Sequence, residues 1–392
     1  MLVGDHLKPQ TEILDNISRT RRMMQSSGIV NQNIQFATGQ SVPMQQAIDQ
    51  TMSIVANPDK ILPYGFAGSN PFYGRNVPIQ AKDSLVTKAK LRAYLADDSI
   101  DVSDRLLDRI TNISLFNPVM FDSTAELGGF KGPFNPLRVG FHEIGHTVSS
   151  MSGAKTPIES IASRISDSSH PMEKVRSLIQ MFAEQGAEEA RADLVGYKGA
   201  FSVPGNDFVS LLSNNPTDIK TGYLGGLAFS RTYTERILPL SGLGEVFEDL
   251  MEDALDQGLP EDQLTTSMEG TLARLNLASE KAAKLSYQET LRANPIGLSA
   301  DELQAISLVN ESKHLSQWGE PLSMIRARVA GETSSNGLSA VINRAADELA
   351  TQAGTAPGSF AKLLGSRQSG GLSLGTLDRI IKDALTASKV MR

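Results

Sequence analysis

The chain contains no cysteine among its 392 residues. Disulfide bonds and thiolate metal sites are therefore excluded, and any bound metal ion would need histidine, aspartate or glutamate ligands. The absence of cysteine suits the cytosol, but it also suits exported proteins that fold without disulfides.

Long hydrophobic runs are also lacking. No stretch approaches the roughly 18 apolar residues of a membrane-spanning helix. The N-terminus, MLVGDHLKPQTEIL, has no apolar segment after a basic start, as a signal peptide would have. We therefore expect no membrane span. The cytoplasm is the default compartment, with a virion location or non-classical export left open.

Positive charge is in short supply. The 37 Lys and Arg residues are outnumbered by 44 Asp and Glu residues, which gives a formal net charge of -7. No basic excess is available to neutralise phosphates, so no general nucleic-acid-binding function is expected. Hydrophobic residues make up 40% of the chain and charged residues 21%, a composition typical of a globular protein with a sizeable core.

Histidine is scarce too, with five in the chain, yet two of them stand close together in residues 141–148, FHEIGHTV. On a helix His142 and His146 would share one face, so both imidazoles could reach a single metal ion. Glu143, beside the first histidine, would be placed to accept a proton from a water molecule at that ion. This H-E-x-x-H pattern predicts a metal site on a helix.

The ends of that helix are predicted by its flanking residues. Asn135 can cap the first turn, and Pro136 fits the first helical position because its missing N–H would have no partner there. Gly153 is the predicted stop, since glycine readily adopts the left-handed conformation that closes a helix.

A second helix, over residues 188–197 (EEARADLVGY), offers acids at a matching spacing. Glu189 and Asp193 would share a face, with Glu189 as a third ligand and Asp193 accepting a hydrogen bond from a ligand histidine. Glu188 is the rival ligand, but the residue four positions after it is an alanine, which cannot accept that hydrogen bond. The small residues around the acids permit close helix packing; they are Ala187, Ala190 and Ala192.

The H-E-x-x-H pattern followed by E-x-x-x-D on a later helix resembles the gluzincins, zinc metallopeptidases of the thermolysin-like kind, over residues 113–240. The resemblance implies Zn²⁺ held by His142, His146 and Glu189. It also implies Glu143 as the general base and Asp193 as the acid behind a ligand histidine. No third histidine follows at the metzincin spacing, which excludes that branch.

An oxyanion donor is the next component that the resemblance implies. Tyr223, in TGYLGG, is similar to the Y-x-x-G helix start of zinc aminopeptidases in this clan, where the tyrosine hydroxyl is the donor. Tyr197 and Tyr233 are alternatives, as are His170 and His314. The Gly-Ala-Met-Glu-Asn type strand of exopeptidases is absent, so we expect an endopeptidase.

Strands are expected only near the motif. Residues 113–123 are predicted to contain a strand, and residues 124–133 (TAELGGFKGP) look like the gluzincin edge strand that pairs with an extended substrate. A simple hairpin is the alternative for this second segment. Residues 44–60 are predicted to be helical, and the Gly-, Pro- and Asn-rich residues 62–78 to form a loop.

The expected fold is mostly α (α+β), with a zincin-like catalytic core of a small sheet and two active-site helices flanked by helical regions. Four regions are predicted: a mixed or helical N-terminal region (1–95), the metallopeptidase core (96–258), a helical C-terminal region (259–352), and a Gly/Ser-rich linker with a terminal amphipathic helix (353–392). The terminal amphipathic helix is expected to dock on the body of the protein or on a partner, so the C-terminal helices are the predicted site for a protein partner.

The expected function is zinc-dependent endopeptidase action on a peptide or protein substrate. Two alternatives stay open. The first is a structural or assembly protein, a virion component among the options, that retains a zincin fold. The second is a metallopeptidase toxin or effector delivered into another cell.

Overall fold

The computed structural model of the chain describes residues 10–37, 39–55, 74–79, 86–97, 101–116, 126–127, 130–131, 135–154, 167, 171–204, 206 and 278–311. These residues are mostly helical with small sheets, so the predicted mostly α (α+β) class is confirmed. Among the helices described, none combines the length and hydrophobicity that crossing a membrane requires.

The elements are named in chain order. The helices are α1 (Gln10–Gln25), α2 (Met44–Asp49), α3 (Lys88–Asp97), α4 (Asp104–Arg109), α5 (Pro136–Met151), α6 (Pro171–Phe201), α7 (described over residues 278–293) and α8 (Ala300–Glu311). The strands are β1 (Asn33–Ile34), β2 (Val42–Pro43), β3 (Thr51–Val55), β4 (Gly74–Pro78), β5 (Asn112–Phe116), β6 (Glu126–Leu127) and β7 (Phe130–Lys131).

Within the described residues, the main sheet has three strands in the order β3-β5-β4. The central strand β5 runs parallel to β3, with Ile54 opposite Leu115, and antiparallel to β4, with Asn76 opposite Ser114. All five residues of β5 are buried, as expected for a strand with a neighbour on each side. In the described part of this sheet, β4 is an edge strand.

The two faces of this sheet differ in chemistry because side chains alternate along each strand. The apolar face forms a buried cluster with α3 and α4, to which Ile54, Val77, Leu115, Leu91 and Leu107 contribute. The opposite face is packed on by α5. That second face is rich in polar side chains, of which Thr51, Asn112 and Ser114 are buried.

Helix α5 carries the H-E-x-x-H pattern and has the ends that the sequence predicts. The side chain of Asn135 accepts hydrogen bonds from the backbone N–H groups of Leu137 (3.0 Å) and Arg138 (3.1 Å), and Pro136 occupies the first turn. Gly153, just beyond the helix, has φ +71°. The predicted N-cap and glycine stop are confirmed.

Helix α5 and the C-terminal half of α6 approach each other closely at glycines. A Cβ atom added at Gly145 would lie 2.7 Å from the Cα of Ala192. A Cβ at Gly196 would lie 2.9 Å from the backbone oxygen of Arg138, and one at Gly199 would collide with the ring of Phe141. Larger side chains at these positions would push the two helices apart.

Internal contacts divide the chain into two compact units. The first comprises Met1–Ala154, Arg191–Tyr223 and Asn294–Arg367, and the second comprises Lys155–Ala190, Leu224–Ala293 and Gln368–Arg392. Helix α6 is unbroken and contributes residues to each. The main sheet and α5 belong to the first unit. In the second, Gly186 of α6 lies against the backbone of Ala283 in α7. The four sequence-predicted regions stay predictions.

Two secondary-structure predictions are wrong. The helix predicted over residues 44–60 ends at Asp49, and Thr51–Val55 is strand β3. The β-branched residues of β3 favour a pleated strand, and the pairing of β3 with β5 stabilises that conformation. The loop predicted over residues 62–78 contains strand β4. Glycine, asparagine and proline are poor strand formers, so β4 depends on its pairing with β5, and Pro78 is tolerated at an edge.

The segment over residues 124–133 forms a hairpin. Glu126 pairs with Lys131 and Leu127 with Phe130, in a two-stranded antiparallel sheet of their own. The hairpin alternative is therefore confirmed. In the residues that the structure describes, the edge strand beside the H-E-x-x-H helix is β4.

The α5–α6 approach can be tested with Gly145→Ala. We expect this substitution to lower the free energy of unfolding by about 1–3 kcal/mol, because the new methyl group meets helix backbone that cannot move aside. Denaturant-induced unfolding measures the change. Gly140→Ala in the same helix is the matched control, since its methyl group would meet the flexible end of the Met24 side chain. Equal losses in the two variants would contradict the close-approach explanation.

Candidate metal centre

The candidate site begins on α5, where successive faces carry different groups. His142 and His146 lie one turn apart on the face that packs towards α6, since Gly196 of α6 lies against the Cβ of His142. Glu143 and Thr147 lie one turn apart on the face that packs towards β4, and Glu143 is only 2% exposed. The helix thus presents imidazoles on one side and a carboxylate on the next.

The Nε2 atoms of the two imidazoles lie close together. These atoms are 3.2 Å apart, and the ring planes are nearly perpendicular, at 88°. Two nitrogens that bind one tetrahedral ion at about 2.0–2.1 Å are separated by about 3.3 Å. The histidine pair therefore has the spacing of two ligands of a single metal ion.

Glu189 of α6 completes a His/His/Glu cluster, which consists of His142, His146 and Glu189. One ligand atom from each residue lies within 4.8 Å of the other two. Gln185, one turn earlier on α6, donates a 2.9 Å hydrogen bond to Oε1 of Glu189 and so orients the carboxylate. The rival Glu188 is buried but is not a member of the cluster.

Asp193 lies behind the first histidine. Its Oδ1 is 2.8 Å from Nδ1 of His142. A carboxylate accepts hydrogen bonds, so Nδ1 carries the proton and the Nε2 lone pair is directed at the cluster. This tautomer is the one that a metal ligand needs.

Arg138 was missed in the sequence. It is 2% exposed, and its Nη1 lies 3.4 Å from Oδ1 of Asp193. Its guanidinium also lies over the ring of Tyr197, 5.7 Å from the centroid. Arg138 precedes His142 by four residues and lies on the same stripe of α5, which is the signal that could have identified it.

Strand β4 brings a second set of residues that sequence reasoning missed. A Cβ at Gly74 would collide with the carboxylate of Glu143. The side-chain amide of Asn76 donates 2.9 Å hydrogen bonds to the backbone oxygen of Glu143 and to Oγ1 of Thr147. The candidate general base is therefore enclosed between α5 and the β4 backbone.

Of the predicted oxyanion donors, the structure describes Tyr197 alone. Tyr223, Tyr233, His170 and His314 lie outside the described residues. Tyr197 is buried on α6, where it packs against Arg138 and against the ring of Phe201, with centroids 6.2 Å apart. Those contacts are typical of a core residue.

The donor set suits a divalent ion. Two imidazole nitrogens and one carboxylate oxygen make up the three protein ligands that catalytic zinc sites commonly have, with a fourth position left for water or substrate. Comparison of the chain with protein-family models, with curated proteins and with solved structures found no match.

The contact between Asp193 and His142 leads to a measurable prediction. We expect Asp193→Asn to lower the affinity for Zn²⁺ by about 10- to 100-fold, because it removes the negative charge that orients and polarises the ligand imidazole. Competition with a chromophoric chelator measures the affinity. The control is Glu184→Gln on the same helix, which should leave the affinity unchanged. Equal affinities of wild type and Asp193→Asn would count against a ligand role for His142.

Proposed function

We propose that the protein is a zinc-dependent endopeptidase of the gluzincin type, with His142, His146 and Glu189 as its metal ligands. The observation that carries the proposal is the His/His/Glu cluster. Its two Nε2 atoms are 3.2 Å apart, and its three ligand atoms lie within 4.8 Å of one another.

The number and type of ligands favour a catalytic ion over a structural one. Structural zinc sites in proteins are usually closed by four protein ligands, often thiolates, and this chain has no cysteine. Three N/O ligands leave a coordination position open. When bound there, zinc would polarise a carbonyl group and make a water molecule more acidic.

Glu143 suits the role of general base. It adjoins His142 in the sequence, is 2% exposed, and is confined by Gly74 on one side and its own helix on the other. Its carboxylate would accept a proton from the attacking water and return it to the leaving amine. Asp193 keeps His142 in the required tautomer throughout, and Gln185 keeps Glu189 oriented.

The position of β4 favours a peptide substrate. An extended peptide can add to a sheet edge through main-chain hydrogen bonds, and β4 is an edge in the described part of the sheet. Gly74 has no side chain, and the space that this leaves is occupied by the Glu143 carboxylate, so the β4 backbone lies directly against the candidate general base. A peptide paired with β4 would pass beside Glu143. The assembly-protein and toxin alternatives stay predictions.

The function is tested by zinc content and peptide cleavage in single-residue variants. Wild type should bind one zinc ion per chain, measured by elemental mass spectrometry, and should cleave members of a peptide library. Glu143→Gln should keep the zinc and lose cleavage by at least about 100-fold, because only the proton acceptor is removed. Glu189→Gln should lose both zinc and cleavage.

Glu188→Gln is the matched control for the ligand assignment. It neutralises the neighbouring acid on the same helix and should retain zinc and cleavage. Zinc loss in Glu188→Gln with retention in Glu189→Gln would reverse the assignment. A wild-type protein that binds no zinc and cleaves no peptide would overturn the enzymatic function and would favour the structural alternative.

A further inference from the structure

The polar face of the main sheet makes a connected set of hydrogen bonds with α5. This polar network consists of Thr51 on β3, Asn76 on β4, Asn112 on β5 and Thr147 on α5. It links all three strands to the helix that carries Glu143. Every member belongs to the first compact unit.

The donor and the acceptor of each hydrogen bond in the network can be assigned. Asn112 Nδ2 donates to Asn76 Oδ1 at 2.8 Å, and Asn76 Nδ2 donates to Thr147 Oγ1 at 2.9 Å. The hydroxyl of Thr51 donates to the backbone oxygen of Ala47, so Thr147 must be the donor in the 2.9 Å contact between the two threonines. Thr51, Asn112 and Thr147 are buried, and a network whose donors and acceptors are assigned in this way favours one arrangement of its side chains.

Asn76 is the member that holds β4 to α5. Its amide nitrogen also donates to the backbone oxygen of Glu143, at 2.9 Å. A backbone oxygen can only accept, which settles the orientation of the amide. The two protons of Nδ2 thus engage residues 143 and 147, which lie one helical turn apart. Because Asn76 is hydrogen-bonded to α5 at both residues, β4 cannot slide along the helix without breaking a bond.

The position of Asn76 on β4 places its hydrogen bonds to α5 close to the candidate general base, Glu143. Gly74 lies two residues before Asn76, so both face α5 from the same side of the strand. Gly74 adjoins the carboxylate of Glu143, while Asn76 holds its backbone oxygen. The depth at which β4 lies against Glu143 is therefore set by Asn76 and by the absence of a side chain at Gly74.

We propose that Asn76 is a positioning residue for peptide hydrolysis, which fixes edge strand β4 at the distance from Glu143 that a substrate paired with β4 requires. This inference rests on the proposed endopeptidase function. The side-chain hydrogen bonds of Asn76 go to Glu143, Thr147 and Asn112, which are not metal ligands in this proposal, and Asn76 is not assigned a contact with the reacting atoms. It acts through β4 and through the turn of α5 that carries Glu143.

Asn112 supplies a matched control. It belongs to the same network, is 4% exposed, and makes its hydrogen bonds with Asn76 and Thr111. Asn112→Ala should therefore remove network bonds and stability without removing a contact between β4 and α5. If the Asn76 variants lose more kcat/KM than Asn112→Ala does, the difference reports positioning. A general loss of stability would lower kcat/KM in both.

The test compares Asn76→Ala, Asn76→Asp and Asn112→Ala with wild type in the zinc-loaded full chain. We expect both Asn76 variants to keep one zinc ion. Asn76→Ala should lower kcat/KM by about 100-fold on a peptide that wild type cleaves, with most of the loss in kcat, because misplacement of about 1 Å costs that much. Asn76→Asp should lose at least as much despite its equal size, since an oxygen would then face the Glu143 carbonyl.

Amide hydrogen exchange provides a readout that does not depend on activity. Asn76→Ala should speed exchange at residues 74–77, whereas Asn112→Ala should do so less and should lower kcat/KM by less than tenfold. Equal losses of kcat/KM at Asn76 and Asn112, with an active wild type, would overturn this inference alone. A wild type that binds no zinc and cleaves nothing would overturn the proposed function and this inference with it.

Discussion

The close approach of α5 and α6 is the constraint on which the candidate metal centre depends. Gly145, Gly196 and Gly199 leave no room for a Cβ atom, and the Cα of Ala192 lies against Gly145. At a wider separation the short side chain of Asp193 could not reach the imidazole of His142. The hydrogen bond between them, which fixes the imidazole tautomer, is therefore a consequence of residues that have no polar chemistry of their own.

The main sheet separates two kinds of packing. Towards α3 and α4 it presents aliphatic side chains, whose burial stabilises the fold by roughly 1.5–3 kcal/mol for each large residue. Towards α5 it presents hydroxyl and amide groups. A hydrogen bond contributes about 0.5–1.5 kcal/mol net to stability, and unlike apolar burial it has direction. The stabilising interactions and the interactions that specify geometry thus lie on opposite faces of one sheet.

The predictable part of the site is the part encoded by local spacing. His142, His146, Glu189 and Asp193 are related by intervals of one helical turn, and a helix has the same geometry wherever it lies. The ends of α5 followed from capping rules for the same reason. The same four-residue spacing indicates Arg138, which lies one turn before His142 on the same face of α5.

The strands β3 and β4 and the residue Asn76 are not predictable from local sequence, because they depend on contacts between residues that are distant in the chain. Strand β4 has the composition of a loop, and it becomes a strand because β5 pairs with it. Local sequence favours a helix over β3 because α2 ends only two residues before it, and the pairing of β3 with residues 112–116 is not visible in local sequence. Asn76 could not be identified before β4 was, since its function follows from which helix the strand adjoins.

The strand order has a consequence for the time course of folding. β5 is the last of the three strands in the chain, but it lies between the other two. During synthesis, residues 51–55 and 74–78 emerge first, and among the described strands the partner of both is β5, which follows later. Their pairing closes long stretches of chain, which is slow compared with helix formation. The described sheet therefore forms only once residues 112–116 have been synthesised, so early association of residues 51–55 or 74–78 with another chain is the step that a chaperone would have to prevent.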